Sequence, residues 1–364
     1  MKRIIGILVA MVMLFTFLTG CEKQNASNET TAKKTTKTTT KKTTEAKKDE
    51  PLIFAWYPNE SGEETKEARE EIGKIIEKAT GREVKHQTTT DYVIVVEAIA
   101  NANVHFAFVG GEGYVQSRKR SENVEPLVVY SGKSGTLDDA VYYSWLNVKK
   151  GNEDMYKVGD KYKIDNIQGK RFSFVSNSST SGFKVPSAGI TSYFKKNFDE
   201  WKNLTQEDLL QGGKNEFFSE VLYGGSHQNS AVNVLTGKSD VSAFCDVCVQ
   251  NYVELASGTE NRPGAVYRVI KDAAEPFDKL AGQEFVPISV TAVLNAPFVY
   301  NKSVIDEKTA MLIRDALTSD EVTNNPKIFV PKDSEFLGFF KKSGDTRFVP
   351  VDDAWYNPIR ELSE

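Results

Sequence analysis

Apolar residues along this chain follow two rhythms. Short runs such as Leu52-Ile53-Phe54-Ala55-Trp56 and His105-Phe106-Ala107-Phe108-Val109 read as strands. Between them, apolar positions recur at helical spacing: Ala68, Ile72, Ile75, Ile76 and Ala79 share one helix face. Ser61, with Glu64 three residues later, predicts a capping box at the start of that helix, and Gly81 predicts its end. Further strands are expected near 84–87, 126–130 and 141–148, and a helix over 92–102. A second series of strands and helices runs to about residue 288, after which Ala296-Pro297-Phe298-Val299-Tyr300 leads into a helix over 307–317. This alternation predicts an α/β architecture with two mixed sheets flanked by helices.

About 314 residues follow residue 50, more than a single core usually supports, so two lobes are expected. The polar stretch 149–164, with Gly151 and Gly159, reads as the point where the chain leaves the first lobe. Lobe one is therefore expected over 51–150 plus 289–364, and lobe two over 151–288. A lobe interrupted by another needs two crossing strands, and these imply a hinge and a cleft able to hold a ligand.

The start of the chain fixes a compartment. Lys2 and Arg3 precede an apolar run of about 15 residues, which ends in Leu18-Thr19-Gly20-Cys21. That is the layout of a secretory signal peptide, and the run is shorter than the roughly 20 residues of a spanning helix. Leu-x-Gly-Cys is also the pattern of a bacterial lipobox, which implies cleavage after residue 20 and lipidation of Cys21. The expected location is extracytoplasmic, anchored to the cell membrane. Residues 22–50 hold nine Thr and eight Lys against five acids, with no aromatic residue, and predict a disordered tether.

Charge changes the picture further. The whole chain carries −4; the first 20 residues contribute +2 and the tether +3, leaving −9 on residues 51–364. So acidic a domain is a poor nucleic-acid binder. Any anion it takes must be held by local dipoles against a repulsive overall field.

Two turns suit that task. In Phe172-Ser173-Phe174-Val175-Ser176-Asn177-Ser178-Ser179-Thr180-Ser181-Gly182-Phe183 a strand gives way to small hydroxyl residues, with a helix expected from near Gly182 and Pro186 in its first turn. Backbone N–H groups at a helix start have no internal partner, and the Ser179, Thr180 and Ser181 hydroxyls add donors suited to an oxyanion. A Ser-rich cap loop would have the same composition. The second turn is Tyr223-Gly224-Gly225-Ser226-His227-Gln228-Asn229-Ser230, where Ser226 is a candidate cap and His227 would present its ring from the first turn. His105, inside an apolar run, reads as structural. Cys245 and Cys248 form a CxxC pair, read as a local disulfide or inert thiols ahead of a redox couple. They make a poor zinc site, which normally takes four ligands. No metal and no cofactor are expected.

The segment from Asn177 to Pro186 resembles the Ser-Thr-Ser-Gly-aromatic-x-x-Pro motif of phosphate/phosphite/phosphonate-type ABC substrate-binding proteins. Gly225 to Ala231, with Gly237-Lys238-Ser239-Asp240-Val241, is similar to that family's later Gly-x-His segment and Gly-x-x-Asp-Val strand. Asp91-Tyr92 and Asn295-Ala296-Pro297-Phe298-Val299 match two weaker motifs, and the order is kept over most of 51–320. The resemblance implies a two-lobed type II periplasmic-binding fold that closes on its ligand. It implies that Ser179, Thr180, Ser181 and His227 hold the oxyanion, with Tyr92 closing from lobe one. Family members that take aminoalkyl phosphonates carry an acid at the position of Ala296 and a cleft tyrosine at that of Val109. Little preference for an ammonium group is therefore expected, unless Asp246 or Glu112 substitutes.

The function expected is capture of a phosphonate or related oxyanion by a monomeric lipoprotein that delivers it to an ABC permease. Phosphate, phosphite or another oxyanion is the alternative ligand. A phosphoester hydrolase lacks a metal cluster or a nucleophile–base spacing in this sequence. A redox lipoprotein would rest on Cys245 and Cys248 alone.

Overall fold

Alternation along each strand sorts its side chains onto two covered faces. The computed structural model describes residues 50–334 and 336–362; the expected signal peptide, Cys21 and the expected tether through residue 49 lie outside them. The first sheet has six strands in the order Phe348–Pro350, Val124–Tyr130, Pro297–Asn301, Phe106–Phe108, Leu52–Trp56, Val84–Thr88. The last three run parallel, and the first three pair antiparallel. Phe54, Trp56, Phe106, Phe108 and Phe298 fill one face together with Ile72, Ile76, Ala310 and Ile313 from the helices Lys66–Thr80 and Glu307–Leu317. Ala55, Ala107 and Val299 point the other way, onto the helices Tyr92–Ala100 and Gly111–Arg120. Neighbours in sequence thus serve opposite cores, as a period of two requires.

The second sheet has seven strands in the order Val253–Ser257, Val266–Val269, Glu284–Leu294, Val141–Lys149, Val241–Cys245, Arg171–Phe174, Glu220–Tyr223. Its last three are parallel and the remainder antiparallel. Leu146, Phe172, Phe174 and Ala243 bury against the helix Val185–Asn197. Trp145, Phe244 and Phe285 bury against the helix His227–Leu235 on the other face.

The chain passes between the sheets through 131–140 and again through 295–296. The two passages are tied together. Asn295 donates its backbone N–H to the Ala140 carbonyl at 3.0 Å and its side-chain amide to the Tyr130 carbonyl at 2.7 Å. Tyr356, near the C-terminus, donates its hydroxyl to the Asn295 carbonyl at 3.0 Å.

Two local expectations are corrected. The crossings do not coincide with the expected boundaries at 150/151 and 288/289, because Val141–Lys149 and Glu284–Leu294 both run in the second sheet. The polar excursion after Lys149 stays with that sheet, since its apolar residues Tyr156, Ile164 and Ile167 sink into the same core. The capping box at Ser61 does not form either. The helix starts at Lys66, after two short 3-10 turns, and the Ser61 hydroxyl donates to the Pro58 carbonyl at 2.6 Å. Glu64 is drawn off by the Tyr252 hydroxyl. Gly81 does end the helix, in the left-handed region with φ of 70°.

Candidate ligand site

Elements of both sheets wall a cavity of about 80 Å³. Tyr92, Ser179, Thr180, Ser181 and His227, singled out in the sequence, all line it. The hydroxyl turn follows the strand Arg171–Phe174 and enters the helix Val185–Asn197, with a proline at its start. Ser179 Oγ accepts the Gly182 N–H at 3.1 Å, which closes the turn like an N-cap. Thr180 Oγ1 accepts the Glu112 N–H at 2.8 Å, so the hydroxyl turn touches the helix Gly111–Arg120 of the other sheet. That approach needs a glycine at residue 110: a Cβ there would lie 2.5 Å from Thr180 Oγ1. The Ser181 carbonyl accepts the Ser144 hydroxyl at 2.7 Å.

His227 opens its helix, and Ser226 caps it by accepting the Asn229 N–H at 3.1 Å. His227 Nδ1 accepts the Cys245 N–H at 3.0 Å, so the ring proton of the neutral form sits on Nε2, 3.3 Å from Ser179 Oγ. Burial pulls the imidazole down to about 3, so the ring is a neutral donor. Tyr92 begins its own helix behind the Asp91 cap and donates its hydroxyl to Asn59 Oδ1. His105 serves structure: its Nδ1 accepts the Ile53 N–H at 3.0 Å.

Sequence reasoning missed most of the remaining wall. Tyr57, Tyr130, Tyr142 and Tyr252 line the cavity, as do Asn59, Glu60 and Gln228. Val109, where a cleft tyrosine was sought, is buried in the first-sheet core. Ala296 lines the cavity, whereas the substitute acids Asp246 and Glu112 are not on its wall. Asp246 instead accepts the Tyr143 N–H and the Asn261 amide, and burial pushes it up to about 6. Two acids do line the cavity, Glu60 and Glu64, and burial pushes Glu60 up to about 8. Tyr57 Oη, Glu60 Oε2 and Gln228 Oε1 are buried with no protein partner. No Lys or Arg lines the cavity among the described residues. The wall therefore offers neutral donors, and it can meet an anion through hydrogen bonds and helix starts but not through an ion pair.

Cys245 and Cys248 are joined in a disulfide, and Cys248 faces the cavity. Their sulfurs and a His227 nitrogen lie within 4.8 Å of one another, but sulfurs held in a disulfide are not thiolate ligands.

Residues 54–356 match a family model described as ABC transporter, phosphonate, periplasmic substrate-binding protein. The phosphate-import protein PhnD of Mycolicibacterium smegmatis is 26% identical over 326 residues, spanning 86% of this chain and 85% of that one. Two solved structures share the fold. A binding protein component of an ABC phosphonate transporter from Pseudomonas aeruginosa superposes with a TM-score of 0.58 at 20% identity, over 86% of each chain. PhnD1 from Prochlorococcus marinus, solved with methylphosphonate, gives 0.60 at 15% identity, over 86% of this chain and 97% of that one.

Proposed function

The chain belongs to the phosphonate family of ABC-transporter periplasmic substrate-binding proteins, and from that premise we propose how it captures its ligand. A small phosphorus oxyanion enters the cavity between the sheets and is held by the Ser179, Thr180 and Ser181 hydroxyls with the helix-start N–H groups. His227 turns its Nε2–H from Ser179 to the ligand, and Tyr92 turns its hydroxyl from Asn59 to the ligand on the first-sheet side. The two sheets with their helices act as lobes that close about the crossings 131–140 and 295–296 and open again at a membrane permease. As a member of a carrier family the protein is not an enzyme, and the phosphoesterase and redox readings fall away. Secretion, cleavage after Gly20 and lipidation of Cys21 would tether a monomer to the membrane by its Thr- and Lys-rich leader.

One observation carries this reading: five residues picked from two distant turns and a helix start line one small cavity, with no Lys or Arg on its wall among the described residues. A protein that must hold an anion without a cation uses convergent neutral donors, as sites for small oxyanions do. Phosphate, suggested by the mycobacterial relative, and methylphosphonate, suggested by the Prochlorococcus structure, are both candidates. The test is calorimetric titration against phosphate, phosphite, methylphosphonate, 2-aminoethylphosphonate and sulfate. Saturable binding of at least one phosphorus oxyanion, tighter than sulfate, is expected. If none of them binds, the reading is wrong.

A further inference from the structure

Glu60 has no task in the capture scheme, yet it stands on the cavity wall with its carboxyl buried. Oε1 accepts a hydrogen bond from the Asn59 side-chain amide, and Oε2 has no protein partner. An ionised carboxylate there would face an incoming anion across a water-poor space, and that repulsion is costly without a cation between them. Among the described residues, no Lys or Arg stands on the cavity wall to supply that cation. Tyr57 and Tyr92, pushed upward by burial, and Tyr142, likewise raised by burial, are neutral hydroxyls. His227 is neutral, and Gln228 is an amide. Glu64, the other acid on the wall, accepts the Tyr252 hydroxyl. Arg69, which is not on the wall, donates to the Glu60 and Gly62 carbonyls and to Thr65 Oγ1, and its charge lowers the Glu60 carboxyl by less than burial raises it. Beyond the wall, Glu112 pairs with Gln116, and Asp246 is held by Tyr143 and Asn261.

We infer that Glu60 enters the site as a neutral carboxylic acid whose Oε2–H donates a hydrogen bond to the bound oxyanion, so that capture of a fully ionised ligand takes up a proton. Asn59 fixes which oxygen carries that proton, because an amide N–H on Oε1 leaves Oε2 as the protonated one. Burial, outweighing a backbone hydrogen bond and the charge of Arg69, already lifts the group to about 8, and a bound anion lifts it further. Proton uptake is then greatest on the alkaline side of that value, where the empty site is ionised and the occupied one is not. This inference rests on the oxyanion reading of the cavity.

The experiment uses the purified full chain and methylphosphonate. Calorimetry at pH 9, in buffers of different ionisation enthalpy, should report uptake of close to one proton per ligand bound. Between pH 7 and pH 10 the parent should lose about tenfold in affinity per pH unit above about 8. Glu60→Gln keeps an N–H donor and cannot titrate, so it should keep only the ligand's own pH dependence and take up no proton at pH 9. If the variant does not fold, as a thermal melt would reveal, the buffer series on the parent decides alone. Binding with no proton uptake, or with proton release, overturns the inference, and so does identical uptake by parent and variant. Absence of binding by methylphosphonate, phosphate and phosphite alike would instead sink the functional reading beneath it.

Discussion

His227 receives the Cys245 N–H on Nδ1, and this single bond decides which ring nitrogen can serve a ligand. The same burial has a pH consequence. The folded ring titrates near 3 against an ordinary 6.5, so its contribution to stability is complete above 6.5 and is lost as pH falls toward 3. The melting temperature of the parent should therefore drop more steeply between pH 6.5 and pH 4 than that of His227→Asn, and parallel slopes would show that the ring is not held neutral. On the hydroxyl turn, Thr180→Ala should weaken oxyanion binding about tenfold, the value of one charge-assisted hydrogen bond of about 1.5 kcal/mol. Thr180→Ser should recover most of it by restoring the hydroxyl that receives Glu112. A Thr180→Ser variant as weak as Thr180→Ala would mean that the methyl packing matters and the hydroxyl does not. The turn was legible because its donors are consecutive in sequence. Tyr57, Tyr130, Tyr142 and Tyr252 were not, because each sits alone at or near a strand or turn and meets the others only through the topology.

At the scale of elements, the cavity is sealed where the hydroxyl turn abuts the segment before the helix Gly111–Arg120. Gly110→Ala would place its methyl group against Thr180 Oγ1 and push the two apart. The expected result is a fall in ligand affinity of about tenfold or more with a melting temperature close to the parent's, read by titration and calorimetry together. Unchanged affinity would show that this contact is absent from the bound form. The strands and most helices could be read from periodicity, and the Ser226 cap from its place between the glycine turn and the helix. The passage between sheets could not. Polarity marked 149–164 as the exit, but a few apolar residues there, Tyr156, Tyr162 and Ile164, suffice to hold it to the second core. The true crossing, 131–140, is as polar and shorter, so composition alone could not rank the two. The capping box failed for a similar reason, because Ser61 and Glu64 had better partners nearby than the helix start.

For the molecule as a whole, two crossings bound to each other by Asn295 and Ala140 make a narrow joint between broad sheets. Ligand contacts drawn from both sides favour the shut form, so X-ray scattering should give a smaller radius of gyration with saturating ligand than without. Superimposable profiles would remove closure from the mechanism.

The absence of Lys and Arg from the described cavity wall also governs timing. A doubly charged ligand approaches residues 51–364, of net charge −9, and meets no Lys or Arg among the described residues of the cavity wall, so its arrival is slowed by the field. Salt shortens the reach of that field from about 30 Å at 0.01 M to about 8 Å at 0.15 M. The association rate in stopped-flow fluorescence should therefore rise with ionic strength while the dissociation rate stays nearly level; a falling association rate would reveal local steering instead. Affinity in such a carrier is stored in residence time. On that expectation, a captured ion should arrive slowly, stay long, and leave when the permease opens the way out.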